Sequence, residues 1–492
     1  MIQPISIEFA SLNFATLIPM LVAIVGALVI LCIDLCTKKL DKSLYIMLAV
    51  LFLLIDLGTV VGFTGDVRGM FDLILFDGIA IVSQAVIIIA SALFIMLSMT
   101  KQRFHEAQYP EYFALYLFMV AGFQFMVASD SLILIFVGLE TASMALYTMI
   151  AMHNRTKAIE AAIKYFTMGA LAAAFFAFGS LIFYALTGTV ELGKISQVLV
   201  ASDFANYPMI LIGVVFVLGA LAFKLSLVPF HTWVPDVYEG STAALAGFMS
   251  IVPKMAGFVV ALRFFEIFVA SDDIYVEAVL YGAVVLTMTV PNVIALLQND
   301  INRMLAYSSI SNAGFAMAAI LIGTTQATTG LFLYWVLFLV TNLGGFAMLW
   351  MNRNKDYHTF TSDHAVEKYS GLIKTSPFTA TIMGLFLLSL AGLPPFAMFW
   401  GKMYLLGAAV NGGYIVLALI MALNAAIAAF YYLKPIVYMF LKEPVADVKY
   451  MSNATTITKS VIGACAIVTV ISIFFIEDLL QYISYYVQVS GF

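Results

Sequence analysis

The feature that most constrains this chain is the recurrence of stretches of about 20 mostly apolar residues, the length a helix needs to cross a bilayer. About fourteen occur along the 492 residues, centred near Ala23, Phe52, Ile87, Phe118, Thr141, Ala173, Val217, Ile251, Leu286, Ser311, Leu339, Ser389, Leu423 and Thr469. Charged residues make up only 10% of the chain, against about 25% in a soluble domain. That is too little polar surface to cover a water-soluble globule of this size. The expected fold class is therefore an all-α polytopic membrane protein of about 14 transmembrane helices.

Lysine and arginine fall on alternate loops. One side collects Lys38, Lys39, Lys42, Lys101, Arg103, Arg155, Lys157, Arg303, Arg353, Lys355, Lys368, Lys374, Lys442, Lys449 and Lys459; the other collects Arg68 and Lys194. A bias of this kind marks the cytoplasmic side. It predicts a multi-pass protein of the inner (cytoplasmic) membrane with both termini on the outer, periplasmic side. The first residues, MIQPISIEFASLNF, lack the basic region of a cleaved signal, so the first apolar segment reads as a retained helix. No clustered basic arm suggests nucleic acid. Cys32, Cys36 and Cys465 lack metal-site spacing. The loop 352–376, with His358 and His364, reads as a solvated face rather than a metal site. No extramembrane stretch is long enough for a nucleotide-binding fold.

Two apolar segments are interrupted by related strings, Leu227-Val228-Pro229-Phe230 and Leu393-Pro394-Pro395-Phe396, followed by Trp233 and Trp400. Proline removes an amide donor and clashes with the preceding turn, so each helix should be discontinuous. Backbone freed at membrane depth is tolerated where it is buried in protein or lines a wet cavity, and breaks at corresponding places in two halves point to a transport site. The breaks fall in the seventh and twelfth spans, which run in opposite directions. This predicts two inverted five-helix repeats. The expected organisation is residues 1–105 for helices 1–3, 106–270 for the first repeat, 271–445 for the second, and 446–492 for helix 14.

Charges inside such segments are costly and usually face a bundle interior or an ion path. Glu140 lies near the centre of the fifth span. Lys224 precedes the first break, Lys254 follows Pro253 in the eighth span, and Lys402 follows the second break. A carboxylate about 4 Å from a lysine contributes about 4 kcal/mol at an effective dielectric of 20, enough to switch a buried lysine between its charged and neutral forms. Lys164 lies about two turns from the basic end of its span, with Glu160 available four residues earlier. His231, just after Pro229, fits either a proton relay or a bond to a freed carbonyl. Lys434 and Arg263 read as anchors near span ends, and Asp56 as a structural residue near the outer end of its span.

The strings KLSLVPFHTWVPDVYEGS (Lys224–Ser241), SIVPKMAGF (Ser250–Phe258), LQNDINRMLAYSSISNAGF (Leu297–Phe315) and AGLPPFAMFWGKMYLL (Ala391–Leu406) resemble the antiporter-like subunits of respiratory complex I, the NADH–quinone oxidoreductase. A lysine rather than a glutamate at position 402 argues against the M-type branch. The lack of a long amphipathic helix after the last span argues against the L-type. The DVYEG and YSSI strings favour the N-type over the D subunit of multisubunit cation/proton antiporters, which is the alternative. The resemblance implies a proton-translocating membrane subunit of a redox-driven enzyme complex. Glu140, Lys224, Lys254 and Lys402 would form the protonatable row, and Lys164 and His231 would support it. It further implies no redox centre in this chain. Quinone, flavin and iron–sulfur centres would belong to partner subunits, membrane-embedded and peripheral.

Overall fold

The computed structural model describes residues 12–37, 41–99, 109–271, 273–351, 364–445 and 455–492. Lys38, Lys39, Lys101, Arg103, Arg353, Lys355, Lys449 and His358 lie outside these residues. The chain is almost wholly helical. Helices α1 (Ile18–Cys36) and α2 (Lys42–Val61) lead to a small antiparallel hairpin, β1 (Val67–Gly69) and β2 (Ile74–Phe76). Next come α3 (Gly78–Met96), α4 (Pro110–Val127), α5 (Leu132–Ala151), α6 (Thr156–Thr187), the short α7 (Leu192–Ala201), α8 (Tyr207–Leu225) and α9 (Trp233–Gly240). Then follow α10 (Ala243–Val269), α11 (Ile274–Leu296), α12 (Ile301–Ile322), α13 (Thr325–Met351), α14 (Pro377–Ala391), α15 (Ala397–Asn411), α16 (Ile415–Leu441), α17 (Thr456–Ile471) and α18 (Ile476–Val489).

Thirteen helical segments of the described residues are long and apolar enough to cross a membrane. The expected twelfth span falls short because it is divided into α14 and α15, of 15 residues each. The seventh span is likewise followed by a break, between Leu225 and Trp233. The Val228–Pro229 and Pro394–Pro395 peptides are both cis.

Local chemistry sets the helix boundaries. Asp77, Thr242, Asp273 and Asp300 accept from first-turn amides of α3, α10, α11 and α12, satisfying donors that a helix start leaves free. The break after α14 turns on Gly392, whose φ of 79° suits a residue without Cβ. Helices α4 and α5 meet backbone to backbone: a Cβ on Gly122 would lie 2.8 Å from the Gly138 carbonyl oxygen. Small residues allow such close crossings in membranes, and this one fixes α5, and Glu140 with it, against the core.

The core runs along α10, whose most apolar 18 residues are wholly buried, and continues through α12 and α13. The outward faces of α1, α2, α5 and α16 carry exposed large apolar residues such as Leu51, Val137 and Phe430, as a lipid-facing surface does. The first and last described residues meet at the hairpin end. Met70 donates to Leu12 there, and Ile79 donates to the Ser490 hydroxyl. Arg68 and Lys194 are also at that end, paired with Asp130 and Glu191. Lys157 and Arg303 mark the opposite, basic end.

Candidate functional site

The first break brings a lysine to α5. Lys224, in the last turn of α8, is 3% exposed. Its Nζ donates to Ser143 Oγ at 2.9 Å and lies 5.5 Å from the centre of the Phe123 ring. Ser143 is three residues beyond Glu140, so the two side chains share one face of α5. Glu140 and Lys224 attract each other electrostatically but stand farther apart than a salt bridge. Glu140 Oε1 is buried without a hydrogen-bond partner among the described residues. The break is held from both sides: Trp233 Nε1 donates to the Phe223 carbonyl, and Val228 N donates to Thr287 Oγ1 on α11. These bonds take up backbone groups that the lost helix turn leaves free.

The stem of Lys224 packs beside Gly257, three residues beyond Lys254 on α10. Lys254 is 1% exposed. Its Nζ donates to the Ser309 carbonyl at 2.6 Å and to Ser309 Oγ at 2.8 Å. One residue back on α12, Ser308 Oγ bonds the Tyr432 hydroxyl. Tyr432 also faces Asn312 and the wholly buried Tyr334, whose hydroxyl has no partner among the described residues. Tyr334 packs against Gly401, beside Lys402.

Lys402, at the second break, is 6% exposed. Its Nζ donates to the carbonyls of Leu390 at 3.0 Å and Ala391 at 3.2 Å, and lies 5.8 Å from the Phe315 ring centre. These carbonyls end α14, so the break itself supplies the acceptors. A second polar branch runs alongside. Asn342 donates to Ser250 Oγ on α10, and Thr341 bonds Ser389 on α14, one residue before Leu390.

The structure thus links Glu140, Lys224, Lys254 and Lys402 by a succession of contacts through the interior, polar in part and through packed side chains elsewhere. Lys164 and His231 stand apart from it. Lys164 is 44% exposed and pairs with Glu160 at 2.7 Å and Asp236 at 2.9 Å. Asp236 also meets Arg303, which bonds Glu239, which pairs with Lys157. Lys157, Glu160, Lys164, Asp236 and Glu239 of this network line a hollow of about 150 Å³ at the basic end. His231 lies in the first break, with Nδ1 buried and unpartnered among the described residues.

Several of these groups escape a reading of the sequence. Asp236 and Glu239 lie three apart in VPDVYEG, so their shared helical face is the one available signal. Ser143, Ser309 and Tyr432 carry none, because hydroxyls are common in apolar helices. Arg263 differs from the expected anchor. It is 7% exposed, and its guanidinium donates to Asp77 at 2.7 Å and to the Val127 carbonyl. Its depth follows from a carboxylate partner at the start of α3, which makes a reach to water unnecessary. Just outside the spans, burial pushes the Asp130 carboxyl above its usual range, against the pull of Arg263 and Arg68.

Comparison with known proteins fits this architecture. Residues 129–428 match the family model described as NADH:quinone oxidoreductase/Mrp antiporter, TM. A curated relative from Sulfurimonas denitrificans, named NADH-quinone oxidoreductase subunit N, is 58% identical, with all of both chains covered. A chain of respiratory complex I from Thermus thermophilus, solved with bound aureothin, superposes with a TM-score of 0.78. It is 26% identical, and 94% of this chain and 98% of that one are covered. The Mrp complex of a Dietzia species shares the fold at a TM-score of 0.83 and 18% identity, over 97% of each chain. Near-complete coverage at 58% identity goes beyond a shared fold: the chain belongs to the NADH-quinone oxidoreductase subunit N family.

Proposed function

We propose that this chain moves protons through the row Glu140, Lys224, Lys254 and Lys402 as a membrane subunit of an NADH-quinone oxidoreductase-type complex. The observation that carries the reading is shared by three lysines. Each is no more than 6% exposed, and among the described residues each ammonium donates only to neutral oxygens. A buried ammonium without a bonded anion is costly to keep, so each site favours easy loss and regain of a proton. Hydroxyls of Ser309, Ser308, Tyr432 and Tyr334 lie between Lys254 and Lys402, and each can both donate and accept.

Glu140 adjusts Lys224 from one turn away on α5. Lys164 and its acidic partners feed the row at the basic end, and His231 relays a proton within the first break. The halves 106–270 and 271–445 act as inverted units, each built around one break. The chain sits in the cytoplasmic membrane with the hairpin end outward. It carries no redox centre of its own, so the driving energy arrives from quinone, flavin and iron–sulfur chemistry in partner subunits. Moving one charge against 100 mV requires about 2.3 kcal/mol, within reach of one ion-pair rearrangement.

The test replaces Lys224, Lys254 and Lys402 in turn with methionine in the whole complex reconstituted into vesicles. Each variant should assemble, and its proton pumping should fall at least about tenfold, a barrier change of about 1.4 kcal/mol. Wild-type pumping in all three would refute the proposal.

A further inference from the structure

A second buried polar cluster lies outside this row, among the first helices. Asp56 on α2 is wholly buried, as are Gln84 on α3 and Gln124 on α4. Gln124 Nε2 lies 3.0 Å from each carboxylate oxygen of Asp56 and 3.2 Å from Gln84 Oε1. Two atoms of the cluster, Gln84 Nε2 and Gln124 Oε1, are buried without a partner among the described residues.

The helices packed on α2 bring Asp56 no counter-ion. Helices α1, α3 and α4 contain no lysine, arginine or histidine. On α2 itself, Lys42 is fourteen residues away, about 21 Å along the axis. The other titratable groups on these elements are the exposed thiols of Cys32 and Cys36 on α1, Asp34 and Tyr45, bonded to each other, and Glu111, Tyr112 and Tyr116, eight or more residues from Gln124 on α4. A single amide donor does not compensate an ionised carboxylate in such a place.

We infer that Asp56, Gln124 and Gln84 form a proton-binding site separate from the lysine row, the proton being held as the carboxylic acid of Asp56. Amide orientation follows from the hydrogen-bond network. Turning the Gln124 amide over presents Oε1 to the acid hydrogen, and turning Gln84 over aims Nε2 at that same oxygen. The three side chains therefore have one bonding pattern for the carboxylate and another for the acid. A metal ion fits less well. The Gln124 nitrogen already fills the centre between the Asp56 and Gln84 oxygens, where a cation would have to sit.

The site lies toward the hairpin end. Asp56 is five residues before Val61, Gln84 six after Gly78, and Gln124 three before Val127, so all are within about 9 Å of their helix ends. Helix α4 also reaches the lysine row, through Phe123 beneath Lys224. No hydrogen bond among the described residues joins the cluster to Lys224, whose Nζ bonds Ser143, so on this proposal the proton at Asp56 exchanges independently of it.

The test is infrared spectroscopy of the assembled complex at neutral pH. The wild type should show a carboxylic-acid carbonyl band that moves when aspartate carries heavy carbon in its side-chain carboxyl. Asp56→Asn should remove this band, and Asp56→Glu should displace it and abolish its response to labelled aspartate. The band should persist in Lys224→Met and be indifferent to added sodium. Labelled wild type without such a band, or the same band in assembled Asp56→Asn, overturns the proposal. Loss of the band on adding sodium would also overturn it, by showing a cation site. Loss in Lys224→Met would overturn the site's independence from the row, whatever that variant does to pumping.

Discussion

Substituting Gly392 with alanine tests whether the place of a lysine matters as well as its presence. A Cβ on Gly392 would stand 2.8 Å from Lys402 Cδ and 3.1 Å from its Nζ. Carbon atoms pack best at about 3.5–4.0 Å, so the lysine stem must retreat by about 0.7 Å or more. The Nζ bonds to Leu390 and Ala391 are 3.0 and 3.2 Å long, and such a retreat carries one or both beyond useful range. A hydrogen bond to a charged group is worth about 1.5–3 kcal/mol. Losing one at the low end changes proton loading of Lys402 about tenfold, since 1.4 kcal/mol is a decade. The φ of 79° at this position adds about 1–2 kcal/mol for a residue with a side chain. We expect pumping by vesicles holding the Gly392→Ala complex to fall at least about tenfold. Gly407→Ala should leave it unchanged, because nothing lies within 4 Å of a Cβ there. Wild-type pumping by an assembled Gly392→Ala complex would refute the assignment of those two carbonyls as the seat of Lys402.

Three further outcomes follow from the same geometry. Ser143→Ala removes the hydroxyl acceptor of Lys224 and should slow pumping by about tenfold or more, with the assembled complex retained on gel filtration. Arg263→Met strands the buried Asp77 carboxylate and should cost about 3–5 kcal/mol, read as a lower Tm or lost assembly; the double variant with Asp77→Asn should recover part of it. Asp236→Asn breaks pairs whose side chains are 29–44% exposed and should change stability by no more than about 1 kcal/mol, so any larger loss of pumping than of Tm locates its effect in proton supply to Lys164.

What the sequence makes legible here is what is anomalous in an apolar helix. Lys224, Lys254, Lys402 and Glu140 stand out because a lone charge in such a run is expensive. The two breaks stand out because proline cannot continue a helix. The partners do not stand out, since packing alone selects them. Ser143 and Ser309 are two among many hydroxyls, and their meeting with Lys224 and Lys254 joins residues 81 and 55 apart. Arg263 shows the cost of that blindness most clearly. Its position suggests a reach for the membrane surface, yet Asp77, 186 residues earlier, holds it inside.

On the proposed function, the bond between Lys224 and Ser143 would let a carboxylate one turn along α5 act as a switch. While Nζ rests on the serine hydroxyl, its attraction to Glu140 is felt across more than salt-bridge distance. Bringing the two together at about 4 Å yields about 4 kcal/mol at an effective dielectric of 20, part of which is offset by the surrendered serine bond of about 1.5–3 kcal/mol. The difference is at most about 1–2.5 kcal/mol, because part of the attraction is already felt at rest; its upper end is of the order of the 2.3 kcal/mol that one charge needs against 100 mV. A much stronger resting partner would hold the ammonium permanently, and no partner at all would leave it too costly to charge. On that reading, a neutral hydroxyl beside a carboxylate whose Oε1 has no hydrogen-bond partner among the described residues keeps both states of Lys224 within reach of the driving force.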